Sequence, residues 1–157
     1  MSTKIKALDT ISGAEAEVYF TIEGQRYNMM HLTALEAKWT PNIATLDILG
    51  QTSKGHKPIG AEGTFTGTAY YVMSALRIYM LHFKQDGTMS PMEIQITNED
   101  KASSNGKQTV VLKQCYLSEA VIAKFDASTD SLTEDINGTF DDWEIVTPFN
   151  LLDGMLA

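Results

Sequence analysis

The chain has 157 residues, which suits one domain able to bury about 68–70 % of its unfolded surface without help from a metal or disulfide. Hydrophobic residues make up 43 %, which excludes a chain disordered throughout, and the single cysteine, Cys115, excludes an internal disulfide. Twelve Lys/Arg against twenty Asp/Glu leave a net charge of −8, which argues against a surface built to hold nucleic-acid phosphate.

The lone cysteine fits a reducing compartment, and Met1–Lys6 leads into no apolar segment of the kind a secretory signal needs. No apolar run approaches 18 residues, so no membrane-spanning helix or anchor is expected. Charge is also unevenly placed. After Lys124 there is no further Lys or Arg, while Asp126, Asp130, Glu134, Asp135, Asp141, Asp142, Glu144 and Asp153 follow. Such a run is either a solvated acidic surface or one that repels phosphate or meets a basic partner.

Residues 1–12 lack periodicity and read as an N-terminal arm; 13–149 read as one β domain and 150–157 as a C-terminal tail. In the first strand, Val18, Phe20 and Ile22 alternate with Glu17, Tyr19, Thr21 and Glu23. Gly24-Gln25 offers a turn into a second strand over 26–40, which Pro41-Asn42 is expected to break, and 44–49 reads as another short strand. Residues 50–61 are rich in breakers, contain no acid and carry Lys54, His56 and Lys57, so they read as a long basic loop.

Thr64 to Tyr70 reads as a strand leading into the one helix. Val72, Leu76, Tyr79, Met80 and Phe83 form a stripe at the 3.6-residue period, and Asp86-Gly87 ends it. Met92, Ile94 and Ile96 mark the next strand, and 98–106 a polar loop. Residues 108–117 follow, with Val110, Leu112 and Gln114 on one side and Val111, Lys113 and Cys115 on the other. Val121, Ala123 and Phe125 alternate with Ile122 and Lys124, and a long last strand covers 133–146 with Thr139, Asp141, Trp143 and Ile145 sharing a face. About eight strands and one flanking helix predict a mainly β sandwich or barrel.

The residues supply no catalytic constellation. His31, His56 and His82 have no partner at metal-ligand spacing, and HExxH, CxxC, GxSxG, Walker A and GxGxxG patterns are absent, so no metal or cofactor is expected. Cys115 reads as a small buried hydrophobe. Glu134-Asp135 and Asp141-Asp142 are strand neighbours whose side chains point to opposite faces, which disfavours a facing acid/base pair. Asp126, Ser128 and Asp130 begin like a calcium loop, but Ser131 and Asn137 stand where Gly and a bidentate Glu are needed. Asn137-Gly138-Thr139 spells a glycosylation sequon, to which nothing is attached without a secretion signal. What remains is surplus strand edge, an arm, a basic loop and an acidic last third, a set suited to contact between copies that closes rings or grows filaments.

Several segments resemble phage tail tube proteins of the PBSX-like contractile-tail family. They are Ser12-Gly13 leading into 16–19, Leu35-Glu36-Ala37-Lys38, Ile48-Leu49-Gly50 with His56-Lys57, and Gly67 to Val72. The resemblance is most specific in Ile96-Thr97-Asn98-Glu99-Asp100, Ser103-Ser104 and 106–112, and it closes at Phe140-Asp141-Asp142-Trp143. It implies a β-barrel or sandwich with a flanking helix, assembled as hexameric rings stacked into the hollow inner tube of a contractile tail. Its partners would be further copies of itself, a sheath, an initiator or baseplate and a terminator, and DNA would pass without sequence-specific binding. It implies a virion location, no catalysis and no cofactor. By the family's pattern the 50–61 loop, with Lys54, His56 and Lys57, becomes the inter-ring contact. An acidic bore lined by some of Glu134, Asp135, Asp141, Asp142 and Glu144 would keep DNA phosphates from sticking. A tube subunit of a contractile bacteriocin or type VI-like secretion machine is the alternative within the class. From another class, an isolated barrel binding a small apolar ligand would call for a signal peptide or a pocket lined by large residues.

Overall fold

The computed structural model describes residues 4–156. It is mainly β with one helix. Among the described residues seven strands, not eight, are hydrogen-bonded in the order β2-β1-β5-β6-β7-β4-β3, and every pairing with a known register is antiparallel. The strands are β1 (Ala16–Ile22), β2 (Gln25–Asn28), β3 (Leu32–Leu46), β4 (Gly55–Tyr70), β5 (Met92–Glu99), β6 (Lys107–Glu119) and β7 (Thr133–Thr147); the helix α1 is Ala75–Asp86. The chain divides into two compact units, one built from 4–30, 90–115 and 142–156 and the other from 31–89 and 116–141.

In the first unit the β1 alternation holds. Val18, Phe20 and Ile22 are buried, and Val18 and Phe20 face Ile96 and Ile94 of β5 across the ladder. Burying Phe20 fully is worth about 1.5–3 kcal/mol relative to exposing it. The β1–β2 turn sits one residue earlier than its glycine suggests: Glu23 and Gly24 both take positive φ, as a two-residue type I′ hairpin requires. In β6 the expected side assignment fails. The pairing shifts between Met92↔Cys115 and Ile94↔Leu112, with Gln114 at φ 54, so this bulge returns Cys115 to the face of Leu112 and both are buried.

The arm and tail are tied down in this unit. Ala7–Asp9 form a single 3-10 turn, and the Asp9 carboxylate accepts hydrogen bonds from the Ser104 hydroxyl (2.7 Å) and amide (3.4 Å). The Asp9 carbonyl accepts from Asn105 Nδ2 (3.0 Å), while the Asn150 amide donates to the Asn105 carbonyl (2.7 Å). Loop 100–106 therefore holds both Asp9 and Asn150. The first three residues of the predicted arm and the last residue of the predicted tail lie outside the described residues.

In the second unit, Phe65 and Ala69 of β4, Ile136 and Phe140 of β7, Leu117 of β6 and Leu76 and Tyr79 of α1 are buried. The helix begins after the predicted first stripe residue: Val72 precedes it and is exposed, and Phe83 is 39 % exposed, so Leu76 and Tyr79 are the side chains it buries. The stop is as expected. Gly87 adopts φ 74 and its N–H bonds the Phe83 carbonyl at 2.8 Å.

Three segments depart from the sequence reading. Pro41-Asn42 does not break a strand; both lie inside β3, which is an edge strand where proline's missing N–H forfeits no ladder bond. The breaker-rich 50–61 run is mostly strand, since β4 starts at Gly55 and pairs with β3. Residues 121–125 join no strand, and Ile122 and Phe125 are 64 % and 88 % exposed.

Candidate functional site: a polar sheet face and a projecting hairpin

Antiparallel register sets one face of β3, β4 and β7. Ala34, Thr68 and Asp135 form one cross-strand row; Glu36, Thr66 and Asn137 form the next, and Lys38, Thr64 and Thr139 the third. Thr40 opposite Glu62 continues the face, and alternation along β7 puts Asp141 on the same side. The intervening residues Gly63, Phe65, Ile136, Gly138 and Phe140 are buried on the reverse. Strand propensity and solubility are both met here by threonine, which is β-branched yet polar. The result, over 34–40, 62–68 and 135–141, is a face without a large apolar side chain, carrying Glu36, Glu62, Asp135 and Asp141 against Lys38, which itself pairs with Glu36 at 3.2 Å.

Beyond this face the β3–β4 pairing runs on alone. β4 meets β7 only from Gly63 to Tyr70, whereas β3 and β4 stay paired out to Leu46↔Gly55. Residues 41–46 and 55–61 therefore form a two-stranded ribbon closed by the turn 47–54. An isolated ribbon is marginally stable in water. This one exposes Ile43, Leu46, Ile48, Leu49 and Ile59, with Leu49 fully exposed, an apolar display of the kind that marks an interaction surface.

The structure separates the predicted site residues. Lys54 lies in the turn, 3.7 Å from Asp47, so the tip is less basic than the 50–61 sequence alone. His56 and Lys57 are adjacent strand residues opposite Thr45 and Ala44 and point to opposite faces. Of the five acids, Asp135 and Asp141 share the threonine face. Glu134 is a correction: its side chain is 4 % exposed and bound by Arg77, which withdraws it from any surface. Asp142 and Glu144 alternate to the side opposite Asp141; Glu144 pairs with Lys113 at 3.3 Å, and Asp142 accepts from the Trp143 amide. Sequence reasoning missed Glu36, Lys38 and Glu62, although the alternation of Thr64, Thr66 and Thr68 was a visible sign of a polar strand face.

Arg77 organises the reverse side. Its Nη1 donates to Glu134 Oε2 at 2.6 Å, its Nη2 donates to the Met73 carbonyl, and the guanidinium lies 4.3 Å from the centre of the Tyr71 ring. His31 Nε2 is buried with no hydrogen-bond partner among the described residues. Burial holds the His31 pKa below its ordinary 6.5, opposed in part by the Glu134 charge. A base whose folded pKa is lowered favours folding fully above its unfolded pKa. Stability is then lost as pH falls from about 6.5 toward the lowered folded value. The urea midpoint is therefore expected to drop between pH 7.5 and pH 5, and His31→Gln to flatten that part of the profile; an unchanged slope in the variant contradicts this assignment.

Among the described residues no group of three His, Cys, Asp or Glu side chains is placed to hold a metal, and no helix is long and apolar enough to cross a membrane. Residues 3–147 match the family described as Phage tail tube protein, and the chain belongs to that structural, non-enzymatic family. It is 31 % identical over 141 residues to the XkdM protein of phage-like element PBSX from Bacillus subtilis (strain 168), covering 90 % of this chain and 93 % of that protein. Its fold is similar to that of the SPP1 tail tube (TM-score 0.63, 10 % identity, 93 % of this chain and 83 % of that one). It is similar too to a chain of the sheath-tube complex of an extracellular contractile injection system, PVC (TM-score 0.66, 13 % identity, 87 % and 90 %).

Proposed function

We propose that this chain is the repeating subunit of the inner tube of a contractile phage tail, in which copies close into hexameric rings and the rings stack. The observation that carries the reading is the threonine face of β3, β4 and β7. It has the properties a conduit wall for DNA needs: over 34–40, 62–68 and 135–141 it is polar, without large apolar side chains, and negative through Glu36, Glu62, Asp135 and Asp141. Like charge denies the DNA backbone its usual release of counter-ions, so the polymer slides rather than binds. In this arrangement the 47–54 tip, with Ile48 and Leu49, reaches the next ring, and Lys54, His56 and Lys57 set its register against acids there. Sheath, baseplate or initiator, and terminator are the further partners of such a tube. Tubes of bacteriocin or secretion particles share the architecture but conduct no genome.

The conduit reading is tested by Asp135→Lys with Asp141→Lys. Both positions are exposed, so the subunit is expected to fold and assemble. Tubes polymerised with a short DNA duplex present are expected to retain it in a salt-dependent way, whereas wild-type tubes release it. Equal release by both would remove this face from the bore.

A further inference from the structure

Two asparagines are followed by glycine, Asn105-Gly106 and Asn137-Gly138. In this dipeptide the glycine nitrogen can attack the asparagine Cγ, because no side chain hinders it. The N–Cγ bond forms, the Cγ–Nδ2 bond breaks, and ammonia leaves with the proton of the glycine nitrogen. Water then opens the five-membered imide at either carbonyl, giving aspartate or isoaspartate. Closure requires the asparagine ψ to leave its extended value and is eased where the attacking N–H makes no hydrogen bond. The two sites differ on the page. Asn137 and Gly138 lie inside β7, between β6 and β4, opposite Thr66 and Phe65. Pairing on both sides holds that backbone near a ψ of about +135°. The Asn137 amide is also engaged, donating to Glu119 Oε1 at 2.6 Å. Asn105 and Gly106 lie in loop 100–106, outside any strand. Gly106 has φ 76, and among the described residues its N–H makes no hydrogen bond. The fold requires this reactive pair as it stands: a Cβ at 106 would come within 2.8 Å of Asn150 Nδ2, and the Asn105 side chain is what grips Asp9.

We propose that Asn105 is a site of spontaneous deamidation, and that its conversion releases Asp9 and Asn150 from loop 100–106. The Nδ2 that donates to the Asp9 carbonyl at 3.0 Å becomes a carboxylate oxygen, which only accepts, so an attraction turns into a repulsion. Asn105 Oδ1 is already buried with no hydrogen-bond partner among the described residues, and part of the new charge falls on that buried position. The Asp9 carboxylate, held by the amide and hydroxyl of neighbouring Ser104, adds a second negative charge close by. Isoaspartate also inserts a methylene into the main chain, which displaces the Asn105 carbonyl that accepts the Asn150 amide at 2.7 Å. One event therefore undoes both contacts. The reaction needs only water and is independent of how copies assemble.

Peptide mass spectrometry of wild-type protein aged at mildly alkaline pH tests the chemistry. Native protein is expected to gain one dalton at Asn105, as aspartate and isoaspartate forms that separate chromatographically, while Asn137 keeps its amide. In urea, where no strand protects it, Asn137 is expected to convert as well. No gain at Asn105 in native protein, or an equal gain at Asn137, overturns the proposal. Limited trypsin digestion tests the release. Cleavage after Lys6 is expected to be faster in aged than in fresh wild-type protein. In Asn105→Gln, which keeps an amide but closes a ring only slowly, fresh and aged protein are expected to be cleaved alike. Aged wild type cleaved no faster than fresh, or an Asn105→Gln variant that accelerates equally on ageing, overturns the release.

Discussion

Arg77→Ala is expected to lower the free energy of unfolding by about 3–5 kcal/mol, because it strands a carboxylate that the fold has taken out of water. Glu134 is 4 % exposed and Arg77 15 %, and their contact is 2.6 Å. The arginine also bonds the Met73 and Val121 carbonyls and packs on Tyr71, so its loss loosens the chain on both sides of α1 as well. Replacing both partners by apolar residues of similar volume, Arg77→Met with Glu134→Leu, is expected to recover most of the loss, since the desolvation of both charges disappears together. Urea unfolding of the two single variants and the double variant measures this. A single variant as stable as wild type would mean that the pair is solvated and does not position the helix.

The second large effect is steric. Gly138 lies opposite Phe65 in the β4–β7 ladder, and a side chain there would overlap both the Phe65 ring and the Tyr116 carbonyl. Gly138→Val is expected to cost about 3 kcal/mol or more, at the upper end of overpacking penalties, because a backbone carbonyl yields less readily than a flexible side chain. Adding Phe65→Leu relieves the ring but not the carbonyl, so the rescue is expected to be partial. Full rescue would place the whole clash at the ring. Thermal unfolding with calorimetry distinguishes these outcomes.

The mainly β class, the helix with its Gly87 stop and the alternation of β1 were legible in the sequence, because period-two and 3.6-residue patterns survive wherever one face is buried; the family was legible only through the resemblance of particular segments, such as Ile96-Thr97-Asn98-Glu99-Asp100. The failures share a cause. Pro41 and the breakers of 50–61 predict interruption, yet an edge ribbon bonded on one side only tolerates both. The bulge at Gln114 reverses the faces of β6, and nothing in the local sequence marks where that extra residue falls. Residues 121–125 have strand chemistry without a strand partner in the same chain, which no local pattern can reveal.

Candidate residues were harder to read than elements, because a face is a property of register between strands distant in sequence. Glu134 and Asp135 are neighbours of the same charge, yet one is buried against Arg77 and the other is on the threonine face. Glu36 and Glu62 joined that face only once β3 and β4 were paired. Lys54, His56 and Lys57 stayed together on the hairpin but no longer form a uniform basic patch, since Asp47 sits beside Lys54.

The most direct test is electron cryo-microscopy of the assembled wild-type protein at a resolution that traces strands. The account predicts stacked six-fold rings whose bore is lined by Thr64, Thr66, Thr68, Asp135, Asn137, Thr139 and Asp141, with the 47–54 tip seated on the adjacent ring. A tube whose bore is lined by the opposite side of β7, or an assembly without a continuous channel, would contradict it.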